Sequence, residues 1–233
     1  QSAACTNAAG VRSPEEEVVL PPYPYPLSYF CDRLRIEKTT LTLRRRDEHS
    51  GGGDGRTWSA ELSPPLWAGV LSLAVQTVDQ AYELEALIDG LDGSRGSFLF
   101  ADPGYRGPRS GRASDLNSAI VRTIRSDRTG ISLAGLPEGF VLSTGDRFSV
   151  QYLGDRYYFG RFQEGGTVGA AGTLGVRPIR PYLPMSIAPG AAIELIRPVF
   201  KAGVEPRGYA PFEFNLPHGE IAMGGSLQIL QKL

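Results

Sequence analysis

The 233-residue sequence is poor in the residues that most often carry chemistry. Its only cysteines are Cys5 and Cys31, and its only histidines are His49 and His218. So few cysteines do not make the disulfide framework of a small secreted scaffold. Two unpaired thiols are the simpler reading, and a single Cys5–Cys31 bridge is the alternative. Neither histidine has a partner at metal-ligand spacing, which argues against a zinc site. Lysine is scarce, at 38, 201 and 232 only. The 24 basic side chains are balanced by 25 acidic ones, for a formal net charge of -1. No global field therefore favours nucleic acid or an anionic membrane. No apolar run approaches the roughly 18 residues of a membrane-spanning helix. The opening QSAACTNAAG lacks the basic start and long apolar stretch of a secretion signal.

Motifs of catalysis are missing as well. There is no Gly-x-Ser-x-Gly elbow and no suggested Cys–His pairing. The glycine-rich stretch His49–Gly55 has no Lys-Ser/Thr after it and opens no helix, so it reads as a hairpin tip rather than a phosphate loop. Asp102, Asp146, Asp155 and Glu164 lie in or next to turns. A glycosidase needs two carboxyls converging on a cleft, but aspartate in turns is explained by hydrogen bonding to the backbone. The sequence thus offers no catalytic, cofactor-binding or metal-binding residue, and the expectation is a protein that is not an enzyme.

Turn residues are abundant: 29 glycines and 18 prolines punctuate short apolar runs, the pattern of a turn-rich, mainly β chain. Residues 1–26 read as an extended arm, since Pro14, Pro21, Pro22, Pro24 and Pro26 forbid regular structure. Its aromatics, Tyr23 and Tyr25 with Tyr29 and Phe30 beyond, suit an arm packed on its own domain; reaching a neighbouring subunit is the alternative. Leu34–Arg46 alternates as a half-buried strand ending in Arg44-Arg45-Arg46, a solvated strand end or subunit contact. Thr57–Leu62 and Ala68–Val75 read as two strands separated by a turn or kink at Pro64-Pro65.

One helix stands out. Thr77 with Gln80 forms a capping box, and Val78, Ala81, Leu84, Leu87, Ile88 and Leu91 make one apolar stripe. Gly90 or Gly93, in the left-handed conformation, is expected to stop it. Ser97–Ala101 returns as a strand, and Asp102-Pro103-Gly104 turns the chain. Further strands are expected at Ala119–Ile124, Gly130–Leu133, Arg147–Leu153, Tyr157–Phe162 and Thr173–Arg177, which suit a small OB-type barrel. Gly154-Asp155 is expected to form a tight hairpin. The aromatics Phe148, Tyr152, Tyr157, Tyr158, Phe159 and Phe162 suit a core better than a stacking platform for sugars or bases. The last strands are expected at Ile193–Phe200, with Pro198 marking an edge, at Phe212–Leu216 and at Ser226–Leu230.

Two segments carry a family resemblance. The first joins Trp58, a turn at Pro64–Trp67, the helix Val78–Leu91 and the finish GSFLFADP at Gly96–Pro103. The second joins Gly145-Asp146, Phe148–Phe159, and the run from Thr173 through Pro178-Ile179-Arg180 to Leu183. Together they resemble the distal tail proteins of long-tailed bacteriophages and related gene-transfer particles. The likeness spans about two thirds of the chain and rests on packing and turn motifs. The Pro/Tyr-rich arm departs from it. The resemblance implies a tail-tube-like β-sandwich belt (27–114 and 186–233) with one flanking helix, and an inserted small OB-like β-barrel (115–185). It also implies a structural virion protein of the tail tip, assembled in the host cytoplasm into a homo-hexameric ring. The ring would join the tail tube protein to the hub and to receptor-binding or fibre proteins, with DNA only as passing cargo and no membrane span. The alternatives are a carbohydrate- or receptor-binding β module, or another tube or hub subunit.

Overall fold

The computed structural model describes residues 20–53, 55–110, 114–215 and 221–233. Cys5, His218, Leu216 and most of the expected arm lie outside the described residues. The chain is mainly β with one α-helix. Strand β1 (Ile36–Gly51) pairs antiparallel along its length with β2 (Thr57–Leu73). A two-residue β3 (Gln76–Thr77) leads into α1 (Val78–Asp89), and β4 (Phe98–Ala101) follows. Next come β5 (Ile120–Ile124), β6 (Gly130–Ala134), β7 (Val141–Leu142), β8 (Arg147–Tyr152), β9 (Arg156–Phe162), β10 (Gly166–Thr167) and β11 (Leu174–Arg180). The chain closes with β12 (Val199–Ala210), β13 (Glu213–Phe214), β14 (Ile221–Met223) and β15 (Ser226–Gln231). None of the described helices is long and apolar enough to cross a membrane.

Two five-stranded sheets dominate, in the orders β1-β2-β15-β12-β4 and β5-β6-β11-β9-β8. Each covers its own apolar core. The first gathers Tyr25, Phe30, Trp67, Leu71, Phe98, Phe100, Phe200 and Ile229 around the helix stripe. The second gathers Leu116, Val121, Ile131, Leu133, Phe148, Phe162 and Ile179, and is joined by Ile187, Ile193 and Leu195. One residue breaks the division: Phe159, from β9, packs in the first core while its neighbour Tyr158 packs in the second. Successive side chains of a strand point to opposite faces, so β9 is buried on both.

The helix forms for the local reasons its sequence suggests. Thr77 Oγ1 accepts from the Gln80 N–H and the Gln80 side chain accepts from the Thr77 N–H, both at 3.4 Å. Ala81, Leu84, Leu87, Ile88 and Leu91 are buried, whereas Val78 is only half-buried. Gly90 caps the end in a right-handed conformation, at φ -60. The left-handed residues come later, at Asp92 and Gly93.

The start of the second sheet matches the expected strands closely, but other expectations need correction. The first strand does not end at Arg44-Arg45-Arg46; β1 runs on to Gly51 because β2 pairs with it to Thr57. Pro64-Pro65 does not separate two strands, and Pro64–Trp67 is no turn, because β2 runs through both. The ladder absorbs the prolines as an irregularity: Arg44 faces Leu66, Arg46 faces Ser63, and Arg45 has no partner. Proline lacks an N–H, so a stretch with a free outer edge can hold it. Ile193–Ile196 forms no regular strand; it makes a single bridge at Glu194, and Ala192 just before it makes another. The strand starts at Val199 and runs through Pro206 to Ala210, further than expected. Finally, the β8–β9 turn takes left-handed conformations at Leu153 and Gly154, one residue earlier than Gly154-Asp155.

Candidate assembly surfaces and the polar joint

Trp67 is the best-anchored residue of the joint between the two cores. It is 1% exposed. Its indole Nε1–H donates to the Phe159 carbonyl at 2.8 Å, and its ring meets Phe159 edge-on at 5.2 Å. Its backbone N–H is satisfied by Gln231 Oε1 at 3.2 Å. A buried indole needs such a partner. The alternation Pro65, Trp67, Gly69, Leu71, Leu73 on the buried face was present in the sequence, but a turn assigned at Pro64–Trp67 conceals it.

The joint is completed by a polar cluster. Asp102, 8% exposed, closes the turn after β4 by accepting from the Gly104 N–H at 2.9 Å, and it pairs with Arg147 of β8. The Tyr105 hydroxyl lies within 3.2 Å of both the N–H and the carbonyl of Arg147. Asp146 is 1% exposed and accepts from the Ser143 N–H at 2.8 Å and the Arg109 N–H at 3.4 Å. Burial raises the Asp146 carboxyl above its ordinary range, opposed by those two N–H donors. Asp102 and Asp146 thus share a neighbourhood, lining a hollow of about 640 Å³. Asp102 holds a turn and the Arg147 guanidinium, whereas Asp146 holds two backbone N–H groups. Asp155 is elsewhere, exposed and bonded to Lys201 Nζ at 2.9 Å, which holds its carboxyl below the usual range.

The remaining sequence candidates scatter. His49 is exposed in β1. Among the described residues no group of His, Cys, Asp and Glu is placed to hold a metal. Cys31 is buried with its Sγ 3.8 Å from the Ala101 carbonyl, and burial pushes its thiol up, away from the reactive thiolate. Phe148, Tyr158, Phe159 and Phe162 are core residues; Tyr152 and Tyr157 are half-buried. The described end of the arm packs on its own chain: Tyr25 bridges Phe98 of β4, and the Tyr23 and Tyr25 hydroxyls donate to the Gly90 carbonyl at 2.7 and 3.0 Å.

Two surfaces remain open. The first is the outer β1–β2 hairpin. Arg44–Gly51 and Thr57–Leu62 are exposed throughout. Strand β15 borders β2 only at Ala68–Ser72, and no described strand borders the outer edge of β1. Eight residues at ~3.3 Å each make a projection of roughly 25 Å. Trp58 at its tip is 69% exposed, and Asp47 stands directly opposite Glu61. Like charges so placed weaken an isolated hairpin. The second surface is an apolar groove of about 540 Å³ at the hairpin base, lined by Leu62, Pro65, Tyr182, Met185 and Leu233 among others. No protein-family model matches the chain, and no curated protein matches it.

Proposed function

We propose that this chain is a structural virion protein of a phage tail tip, of the distal-tail type. Its copies form a ring, six to a ring, between the last ring of the tail tube and the hub with its receptor-binding or fibre proteins. The observation that carries the reading is the outer hairpin. A long two-stranded projection whose edges have no partner among the described residues, and whose faces are both wet, is a liability in a lone molecule. In a ring its edges are covered by the hairpins of neighbouring copies, since a head-to-tail contact that closes leaves no edge free. On this reading the first sheet with its helix is a tube-like sandwich belt, and β5–β11 form the inserted OB-like barrel. Near-zero net charge and the absence of recognisable catalytic motifs in the sequence support an assembly role. The protein would be assembled in the host cytoplasm and reside in the tail tip, with DNA only as passing cargo.

Native mass spectrometry and negative-stain imaging of the purified protein test this. The expected result is a ring of six copies. A strictly monomeric protein across micromolar concentrations, absent from purified tails, overturns it. A second reading, a carbohydrate-binding module, draws on the groove beside Tyr152 and Tyr182. It requires glycan binding by a monomer that is lost in Tyr182→Ala.

A further inference from the structure

Gln76 is 6% exposed, yet neither its Oε1 nor its Nε2 has a hydrogen-bond partner among the described residues. Exchanging the two atoms of the amide changes nothing, since both lack one. Buried polar groups are otherwise nearly always paired, and an orphan is costly. Gln76 lines a recess of about 290 Å³ with Asp32, Arg33, Arg35, Gln80 and Glu83. The recess lies where strand pairing stops. Adjacent residues of a strand turn their N–H groups to opposite edges. The Leu73 N–H donates to the Gly225 carbonyl at 2.8 Å, and the Ala74 N–H to the Arg35 carbonyl at 2.7 Å. Further along, β14 continues the first side and pairs with β3. On the second side, the chain before Arg35 turns away into the short 3-10 helix Cys31–Arg33, and no described strand borders β3 there. The recess thus occupies the lane that β1 vacates. Its charges are not all used. Asp32 is paired with Arg197. Arg33 lies over the Tyr29 ring, and Arg35 donates to the neutral Gln80 Oε1 at 2.6 Å. Neither guanidinium has an ion-pair partner among the described residues, so two free cations stand against one free carboxylate, Glu83.

We propose that this recess binds an extended peptide segment bearing an acidic side chain. The segment lies in the vacated lane beside β3, as a strand added to an open edge. A peptide group presents one donor and one acceptor, as the Gln76 carboxamide does, so the two pair reciprocally. The acidic side chain draws Arg35 from Gln80, and a neutral acceptor is exchanged for a charged one. Nothing in this depends on the ring reading.

Isothermal titration with the acetylated, amidated pentapeptide Thr-Val-Glu-Val-Thr tests it, beside the same peptide with lysine for glutamate. The acidic peptide binds at least about tenfold more tightly than the lysine one, because the unpaired guanidiniums outnumber the unpaired carboxylate. Gln76→Met weakens it at least about tenfold while keeping the melting temperature, because methionine fills the same space and leaves nothing unpaired. Arg33→Gln with Arg35→Gln, both exposed in the wild type, removes the preference between the two peptides. A wild-type protein that binds the acidic peptide no more tightly than about 1 mM overturns the site, and so does binding untouched by Gln76→Met. Should Gln76→Met fail to fold, the arginine pair decides: an unchanged preference in that variant overturns the proposal.

Discussion

At the residue scale, stability concentrates in buried polar side chains that join elements distant in sequence. Trp67→Phe keeps the ring but leaves the Phe159 carbonyl unpaired, and it is expected to cost about 1–3 kcal/mol, read from urea unfolding. Buried and half-buried phenols are expected to set the alkaline limit. Burial, first, and the neighbouring Tyr23 raise Tyr25 from 10.0 to about 12; burial also pushes Tyr105, Tyr158 and Tyr209 strongly upward. The unfolded phenols ionise near pH ~10 while the folded ones stay neutral. Their contribution is therefore complete below pH ~10 and is lost as pH rises toward ~12 and beyond. Melting temperature is expected to fall steeply across that window, and Tyr25→Phe should make the fall shallower. An unchanged slope in that variant would remove Tyr25 from the account. None of this was legible from Tyr25 in the sequence, where it stood only as one aromatic in a proline-rich arm.

At the element scale, local chemistry was readable wherever it was self-contained. The helix needs only Thr77, Gln80 and its apolar stripe, all within one short segment, and it forms where they stand. Thr77→Ala is expected to cost about 1 kcal/mol and to leave any assembly intact, which thermal unfolding and native mass would show. Strand limits that depend on distant partners were not readable. Ile193–Ile196 looked like a strand, yet it makes only a single bridge to β8 at Glu194, while Ala192 before it bridges to β5. The strand expected to end at Phe200 runs on to Ala210, because β4 and then β15 pair with it. The prolines at 64 and 65 suggested a break, and the ladder admits them because β15 pairs with β2 only from Ala68 onward. The carboxylates were found by sequence as turn residues, and they are that; the guanidinium of Arg147 that meets Asp102 comes from a strand 45 residues away.

At the scale of the whole molecule, the outer hairpin is separable from the fold. Its described residues bury no face, so replacing Asp47–Glu61 by a short turn is expected to leave the melting temperature nearly unchanged while abolishing the proposed ring. Loss of folding in that variant would mean that the projection supports its own subunit. The mainly β character was legible from turn spacing and alternation, whereas the sharing of one strand by two cores was not, because no local pattern records which core a buried face enters.

That shared strand has a mechanical consequence. A hinge needs a few residues free to change their backbone angles between two bodies. Strand β9 has Phe159 locked in one core and Tyr158 and Phe162 in the other, and the Asp102–Arg147 pair clamps a second point. The two halves are therefore expected to melt as one calorimetric unit. A pull on one half would be handed to the other as displacement of a stiff lever, without the delay or slack of a flexible tether.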